Sequence, residues 1–389
     1  MNDPFKSLKR VLIRVDYNVP IYNGTISDLT RIKSTIPTIN FFLDLGKQVI
    51  LISHLGRPKK KTKESSLQIV VNPLSKLLKK DVFFYQDWLL NPINLNNKTN
   101  VVLLENLRFH PEEINNDKLF AERLSRFGDI YVNDAFGVSH RNHASIFGIL
   151  EFFKHKYQGF LLEKEIKELN ALKNSKKKPF TVIIGGSKIG SKIHILETFL
   201  NIADNILIGG GMSFPFVKKT GGQIGSSLCL DDELAIVADF LNKAKQTKTN
   251  IILPVDCVIT NNIKSRSQIS IKEIDSIPEN FMGADIGPRT IKLFKKYILD
   301  SKLIMWNGPM GIAEIEEFSN GTKKTANYIV RSTDLGAYSL IGGGDTVSDV
   351  ARFGLKNKFS YVSTGGGAML EFFKNNYLEP TIDLIKINT

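Results

Sequence analysis

Short apolar runs recur along this chain of 389 residues, at 11–15, 49–53, 101–105 and 130–133 in its first half and at 181–184, 205–208, 251–255, 303–306, 338–341 and 361–363 in its second. Between them lie segments with helical spacing, such as Ile32, Ile36 and Ile39, or Leu74, Leu77 and Leu78, and the longer stretches 232–243 and 322–332. Mostly apolar runs of this length suit buried strands. Their alternation with helices predicts parallel sheets with helices on both faces. The length exceeds what one core usually organises, so two doubly wound lobes of the α/β class are expected. One stretch, FLLEKEIKELNALK at 160–173, has apolar residues at 162, 166, 169 and 172 and ends in the polar, proline-containing NSKKKP. It predicts an amphipathic helix that either joins the lobes or lies on the surface of one of them.

The residues that close the runs change character halfway. First-half runs end in cationic, hydrogen-bonding clusters: Arg14, Asp16 and Asn18; His54 and Arg57; Glu105 and Arg108; Asp134 and Arg141. Second-half runs end in glycine, at 185–186, 209–211, 308–311, 342–344 and 365–367. Ligands of open parallel sheets sit outside the carboxyl ends of the strands. Cationic ends suit a compact polyanion, and glycine ends let backbone N–H groups approach phosphates. Two anionic ligands on two lobes point to phosphoryl transfer.

Composition and missing motifs narrow the classes. The formal charge is +13, but the lysines fall in scattered short runs (59–61, 79–80, 176–178, 323–324) with no helix-turn-helix, RNP or zinc-finger pattern. A nucleic-acid footprint would be a clustered stripe, so no nucleic-acid partner is expected. No apolar stretch can span a bilayer, the opening MNDPFKSLKR lacks a signal-peptide core, and Cys229 and Cys257 have no metal or redox spacing. A cytoplasmic protein with two buried free thiols and no membrane partner is the expectation. The segment GGSKIGSK at 185–192 misses the P-loop spacing by one residue, and GxGxxG, GxSxG and HExxH are missing. Hydride transfer and serine or zinc hydrolysis lose support.

Arg14, Arg31, Arg57, Arg108 and Arg141 each fall at or just after a strand end or a helix start. A guanidinium fork donates two parallel hydrogen bonds to phosphate or carboxylate, and five of them on one edge would repel without an anion. Asp16 and Asn18, two apart, could accept from a substrate hydroxyl, orient the arginines, or form a turn before Pro20. In the second half, Gly342, Gly343 and Gly344 follow a strand and open a helix; Thr346 is expected to cap it and Asp345 to reach a magnesium ion. Lys188 and Lys192, four apart, are expected on one face of a helix N-terminus, bringing positive charge to a transferring phosphate.

These segments closely resemble the phosphoglycerate kinase family. RVDYNVP (14–20) is similar to its RVDFNVP. SHLGRP (53–58), LENLRF (104–109), DAFG with HR and H (134–143), GGSK with K (185–192), WNGPMG (306–311), GGGDT (342–346) and STGGGA (363–368) follow in family order over nearly the whole chain. The resemblance implies two Rossmann-like domains joined by a helix: 1–159 binding 3-phosphoglycerate, a linking helix at 160–173, a nucleotide domain at 174–369, and a segment 370–389 returning to the first domain. It implies reversible phosphoryl transfer from 1,3-bisphosphoglycerate to ADP with Mg2+, giving ATP and 3-phosphoglycerate, by a hinge-bending monomer. Asp16, Asn18, Arg31, His54, Arg57, Arg108 and Arg141 would bind 3-phosphoglycerate. Lys192, Glu314 (on the ribose), Gly343, Gly344, Asp345 and Thr346 would bind ADP or ATP. Arg31, Lys188 and Lys192, with the N–H groups of Gly366 and Gly367, would stabilise the transferring group. In the reverse direction the acceptor is an ionised carboxylate, so no general base is needed. Ser191 stands where the family often has Asp, and Ala313 where an aromatic often precedes the ribose glutamate, which is expected to loosen the nucleoside pocket. The final residues are not a peroxisomal SKL signal. Two further readings remain: a kinase of another small phospho-acid on the same fold, and a catalytically silent nucleotide-binding or nucleic-acid-binding protein. Retention of Arg31, Lys188, Lys192 and Asp345 argues against the second.

Overall fold

The computed structural model describes residues 5–89, 100–190 and 192–387. The chain forms two compact units, Met1–Leu169 with Asn375–Thr389, and Asn170–Lys374. The first unit is built on a seven-stranded parallel sheet in the order Ile385–Lys386, Lys156–Gln158, Ile130–Asp134, Arg10–Val15, Gln48–Ile52, Val101–Leu104, Val82–Tyr85. Its central strands carry VLI, VILI, VVLL and IYV, buried throughout. Such runs need apolar cover on both faces, and helices including Thr30–Asp44 and Gln68–Leu78 pack on the sheet. The outer strands were not legible in the sequence: Val82–Tyr85 is only partly covered, and the other two span two and three residues.

The second unit holds a six-stranded parallel sheet in the order Asn250–Ile252, Asn205–Ile208, Phe180–Ile184, Leu303–Asn307, Tyr338–Gly342, Tyr361–Val362. The expected strand at 251–255 divides. Its first part ends at Ile252. The chain then passes Pro254, which has no N–H for a ladder, and resumes as Asp256–Thr260 in a separate antiparallel sheet with Ser270–Glu273 and Met282–Ile286. Cys257 lies buried in this second sheet, whereas Cys229 is only half-buried.

Carboxylates at strand ends tie the helices on. Asp256 accepts from the N–H groups of Arg289 and Thr290 (2.9 and 2.8 Å) in the first turn of Pro288–Asp300, and Asp285 accepts from Gly321 (2.7 Å) in the first turn of Asn320–Asp334. In the first unit Asp134 Oδ1 accepts from Leu161 and Leu162 (2.9 and 3.2 Å), at the start of helix Phe160–Lys173. Thr38 Oγ1 accepts from Phe160 N–H at 3.0 Å. Each carboxylate meets donors that a helix start leaves without intrahelical partners. The division between the units falls within Phe160–Lys173.

Asp134 is fully buried, and burial pushes its carboxyl up to about 7 against the opposing hydrogen bonds from Thr38, Leu162 and Leu161. The folded protein therefore holds this proton to higher pH than the unfolded chain does. The associated stability is complete below the ordinary carboxylate pKa of about 4 and is lost as pH rises through about 7. Asp134→Asn removes that titration while keeping an acceptor at Oδ1. The variant's Tm relative to the parent should rise between about pH 5 and about pH 8. A pH-independent difference in thermal melts would show that Asp134 titrates like an exposed carboxylate.

Candidate functional site

All strands of the first sheet run the same way, so the segments that follow four neighbouring strands line one edge. Asp16 follows Arg10–Val15, and its Oδ2 lies 2.7 Å from Arg31 Nη1 in the first turn of Thr30–Asp44. Its other oxygen accepts from Asn18 N–H at 3.2 Å. Asn18 Oδ1 in turn accepts from Gly56 N–H (2.9 Å), and Arg108 Nη1 donates to Gly56 O (2.6 Å). Gly56 has φ +67°, a left-handed conformation that favours glycine, and it presents both peptide faces to these partners. The structure thus gives Asp16 and Asn18 the turn and the orienting contacts together.

His54 is buried at the centre of this edge. Burial, followed by the charges of Arg14, Arg108, Arg141 and Arg31, holds its pKa well below the usual histidine value. Arg108 is lowered to about 10, first by burial and then by Arg141 and Arg14; Arg141 is lowered by burial and next by Arg57. Arg57 is exposed and Arg141 half-buried. Asp16, Asn18, Arg31, His54, Arg57, Arg108 and Arg141 therefore share one edge, where neighbouring guanidinium groups disfavour one another's charge. Partly buried like charges of this kind are relieved by a bound anion. Arg14 differs from the other arginines in being wholly buried, its donors engaged by protein atoms.

In the second unit the glycine turns that follow the strands interlock through the backbone. Gly185 N–H donates to Asn307 O (3.0 Å), Gly186 N–H to Pro309 O (2.8 Å) and Gly210 N–H to Met310 O (3.1 Å). A Cβ on Gly185 would sit 2.1 Å from Pro309 O, so the approach requires glycine there. Beside these turns opens a cavity of about 600 Å³ whose lining includes Gly186, Gly210, Gly283, Glu314, Asp345 and Asp349. Its apolar wall, with Phe214, Leu228, Cys257 and Met282, comes largely from the antiparallel sheet and the segments packed on it. Sequence reading missed this wall and Asp349. Strands of that short insertion lack the long apolar runs by which the others were found.

Lys192 folds inward, its Nζ donating to Gly185 O at 2.6 Å; burial lowers it to about 8, opposed by the negative charge of Asp345. It is the N-cap residue of Ile193–Phe199. Lys188 is exposed in the turns before that helix, so the two lysines do not share a helical face; Gly186, at φ +104°, lies in that non-helical stretch. Ser191 lies outside the described residues. Asp345 sits in the first turn of Gly344–Arg352, whose N-cap is Gly343 at φ +99°. Thr346 does not cap this helix. Its buried Oγ1 accepts from Gly308 N–H at 2.7 Å and ties the helix to the next strand's turn. Glu314 and Asp345 both act on Asp349, which is pushed up to about 6, first by burial and against its ion pair with Arg352 at 3.0 Å. Arg352 also donates to the backbone oxygen of buried Ala313. Gly366 and Gly367 open the helix Gly366–Asn375, and a Cβ on Gly366 would lie 2.5 Å from Gly343 Cα. The first-turn N–H groups of that helix start beside the Gly343 turn.

Comparison with known proteins agrees over the whole chain. The profile of the family "Phosphoglycerate kinase" matches residues 2–376. A phosphoglycerate kinase of Thermosipho africanus is 47% identical over 376 residues, covering 95% of this chain and 93% of its own length. The solved phosphoglycerate kinase of Coxiella burnetii superposes with a TM-score of 0.81 at 39% identity, covering 96% of this chain and 95% of its own. That of Pyrococcus horikoshii gives 0.79 at 29% identity, with coverages of 96% and 95%. With two parallel-sheet units, each presenting an anion-suited edge, and with relatives aligned over 95–96% of its length, the chain belongs to the phosphoglycerate kinase family.

Proposed function

We infer that the protein transfers a phosphoryl group reversibly between 1,3-bisphosphoglycerate and ADP, yielding 3-phosphoglycerate and ATP in glycolysis. The observation that carries this reading is the pairing of a crowded guanidinium edge in one unit with a glycine-walled cavity beside a buried lysine in the other. The first edge is assigned to 3-phosphoglycerate. Arg57, Arg108 and Arg141 take its anionic groups, His54 and Asn18 donate or accept at its oxygens, and Asp16 holds Arg31 in place. The cavity is assigned to the nucleotide. Glu314 accepts from the ribose, the apolar wall receives the base, and the turn from Gly343 to Thr346 receives the phosphates.

Catalysis in this scheme is electrostatic and positional. The carboxylate acceptor is already ionised, and the transferring phosphoryl group spreads negative charge over its oxygens. Arg31, Lys188, Lys192 and the N–H groups of Gly366 and Gly367 are assigned to that charge. Asp345 offers a carboxylate close enough to Lys192 to raise its pKa, which suits a magnesium ion held by one carboxylate and the nucleotide phosphates. When bound, that ion would neutralise phosphate charge. The proposal includes a monomer acting in the cytoplasm, a reducing compartment in which the two free thiols would stay free. A coupled assay with 3-phosphoglycerate and ATP tests the activity directly; inactivity with both, alongside turnover of another phospho-acid, would replace the substrate assignment.

Arg31→Ala should cost about 3 kcal/mol or more in transition-state stabilisation, the typical worth of one contact to developing charge in a dry site. The melting temperature should stay close to the parent's, because Arg31 is partly exposed and ion pairs of part-exposed side chains contribute little to stability. Turnover within a few-fold of the parent would remove Arg31 from the catalytic group.

Lys192 gives a second pH prediction, read in binding rather than in stability. In the free protein its charge is lost as pH rises through about 8. A bound polyphosphate restores the charge, so ADP binding should take up protons near that pH. Titration calorimetry in buffers of different ionisation enthalpy reads this uptake, and Lys192→Ala should abolish it. Binding with no proton uptake in the parent protein would contradict the contact.

Transfer also requires the reacting oxygen and phosphorus to meet within roughly 3–3.5 Å, although their ligands are assigned to different units. Closure that excludes water is therefore part of the proposal. Small-angle scattering should show the radius of gyration falling mainly when both ligands are present. An equal value with and without them would remove the hinge.

A further inference from the structure

Arg14 and Glu113 are wholly buried charges that the assignments above leave unused. Arg14 Nε donates to Ser145 Oγ at 2.8 Å, and its Nη1 donates to Val15 O. Having accepted from Arg14, the Ser145 hydroxyl donates to Glu113 Oε1 at 2.6 Å, while Ser145 N–H donates to Glu113 Oε2 at 2.9 Å. Tyr131, on the strand beside that of Arg14, donates to Ser145 O at 2.8 Å and pins the turn from below. The two charges are thus joined through one buried hydroxyl. Burying a cation and an anion is tolerable when both are paired and hydrogen-bonded, and removing a link leaves the others desolvated.

The far end of this chain is His54. Arg14 Nη2 lies 3.1 Å from His54 Nδ1. A guanidinium only donates, so Nδ1 must accept, and the ring proton must sit on Nε2. Asp16 Oδ1, at 3.9 Å from Nδ1, is too distant to hold a proton there instead. Burial, and then the charges of Arg14, Arg108, Arg141 and Arg31, disfavours a second proton on the ring.

We propose that Glu113, Ser145 and Arg14 are positioning residues: through Arg14 they lock His54 as a neutral Nε2–H donor aimed at a substrate oxygen. The functional half of this proposal rests on assigning the edge to 3-phosphoglycerate. The gain is directional. Neutral His54 adds a hydrogen bond at fixed geometry without adding to the repulsion among the arginines, and Glu113, through Ser145, offsets the charge of Arg14. Neither Glu113 nor Ser145 needs to touch substrate for its loss to be felt in binding.

Long-range proton–nitrogen correlation spectra of the full-length protein, with histidine labelled by nitrogen-15, test this. In the parent, His54 should show an unprotonated-type Nδ1 and a protonated-type Nε2 throughout the range from about pH 5.5 to about pH 8. In Ser145→Ala the two signals should move towards each other as tautomers mix. KM for 3-phosphoglycerate should rise about five- to tenfold, the scale of one misaligned hydrogen bond, with kcat and KM for ATP changed by less than about twofold. A proton on Nδ1 in the parent overturns the lock whatever the variant does. Unchanged ring signals and KM in Ser145→Ala overturn the relay. Adding 3-phosphoglycerate should shift His54 Nε2 in the parent; a static signal there overturns the substrate assignment, and with it the functional half, while leaving the tautomer result standing.

Discussion

Parallel strand pairing is the constraint from which both candidate sites follow. Because every strand of a sheet runs the same way, the residues after Arg10–Val15, Gln48–Ile52, Val101–Leu104 and Ile130–Asp134 must arrive at one edge, however far apart they lie in sequence. The same rule brings the turns at Gly185, Gly210, Gly308 and Gly343 together in the second unit. Strand cores supply most of the apolar burial; the segments just beyond them supply the chemistry.

The two edges solve opposite electrostatic problems. The first gathers guanidinium groups until they depress one another, and tempers them with few carboxylates: Asp16 on Arg31, and Glu113 through Ser145 on Arg14. Such a field is relieved by an anion and is attractive to it over a distance of about a Debye length. The second edge relies on close-packed peptide groups, one buried ammonium at Lys192, and four carboxylates, Asp285, Glu314, Asp345 and Asp349, around the cavity. A compact polyanion and a nucleotide with its counter-cation call for these different solutions.

Elsewhere, buried acids act as fasteners. Asp134 at the end of one strand, Asp256 at the start of another and Asp285 near the end of a third take up donors in the first turn of a helix. Burial raises Asp134 and Asp285 to about 7, so these fasteners hold their charge less firmly than surface acids do. Asp134 is the one that meets the helix in which the chain passes from one unit to the other.

Local pattern made the parallel sheets, the helix Phe160–Lys173, the cationic and glycine strand ends and the family motifs legible, because each is written in contiguous residues. Where the signal was not contiguous, reading failed. The edge strand Val82–Tyr85 lacks full cover, Pro254 splits one apolar run between two sheets, and Thr346 resembles a cap yet binds Gly308 from a neighbouring turn. Lys188 and Lys192 have helical spacing, but the helix begins only after them. By itself the sequence determined which strands form and which side chains stand at their ends, since apolar runs and turn residues act over a few positions. Tertiary structure alone decided which arginine is buried, where the proton on His54 must sit, and that Glu113 and Ser145 stand behind it, because those outcomes depend on desolvation and on contacts spanning 131 residues of chain.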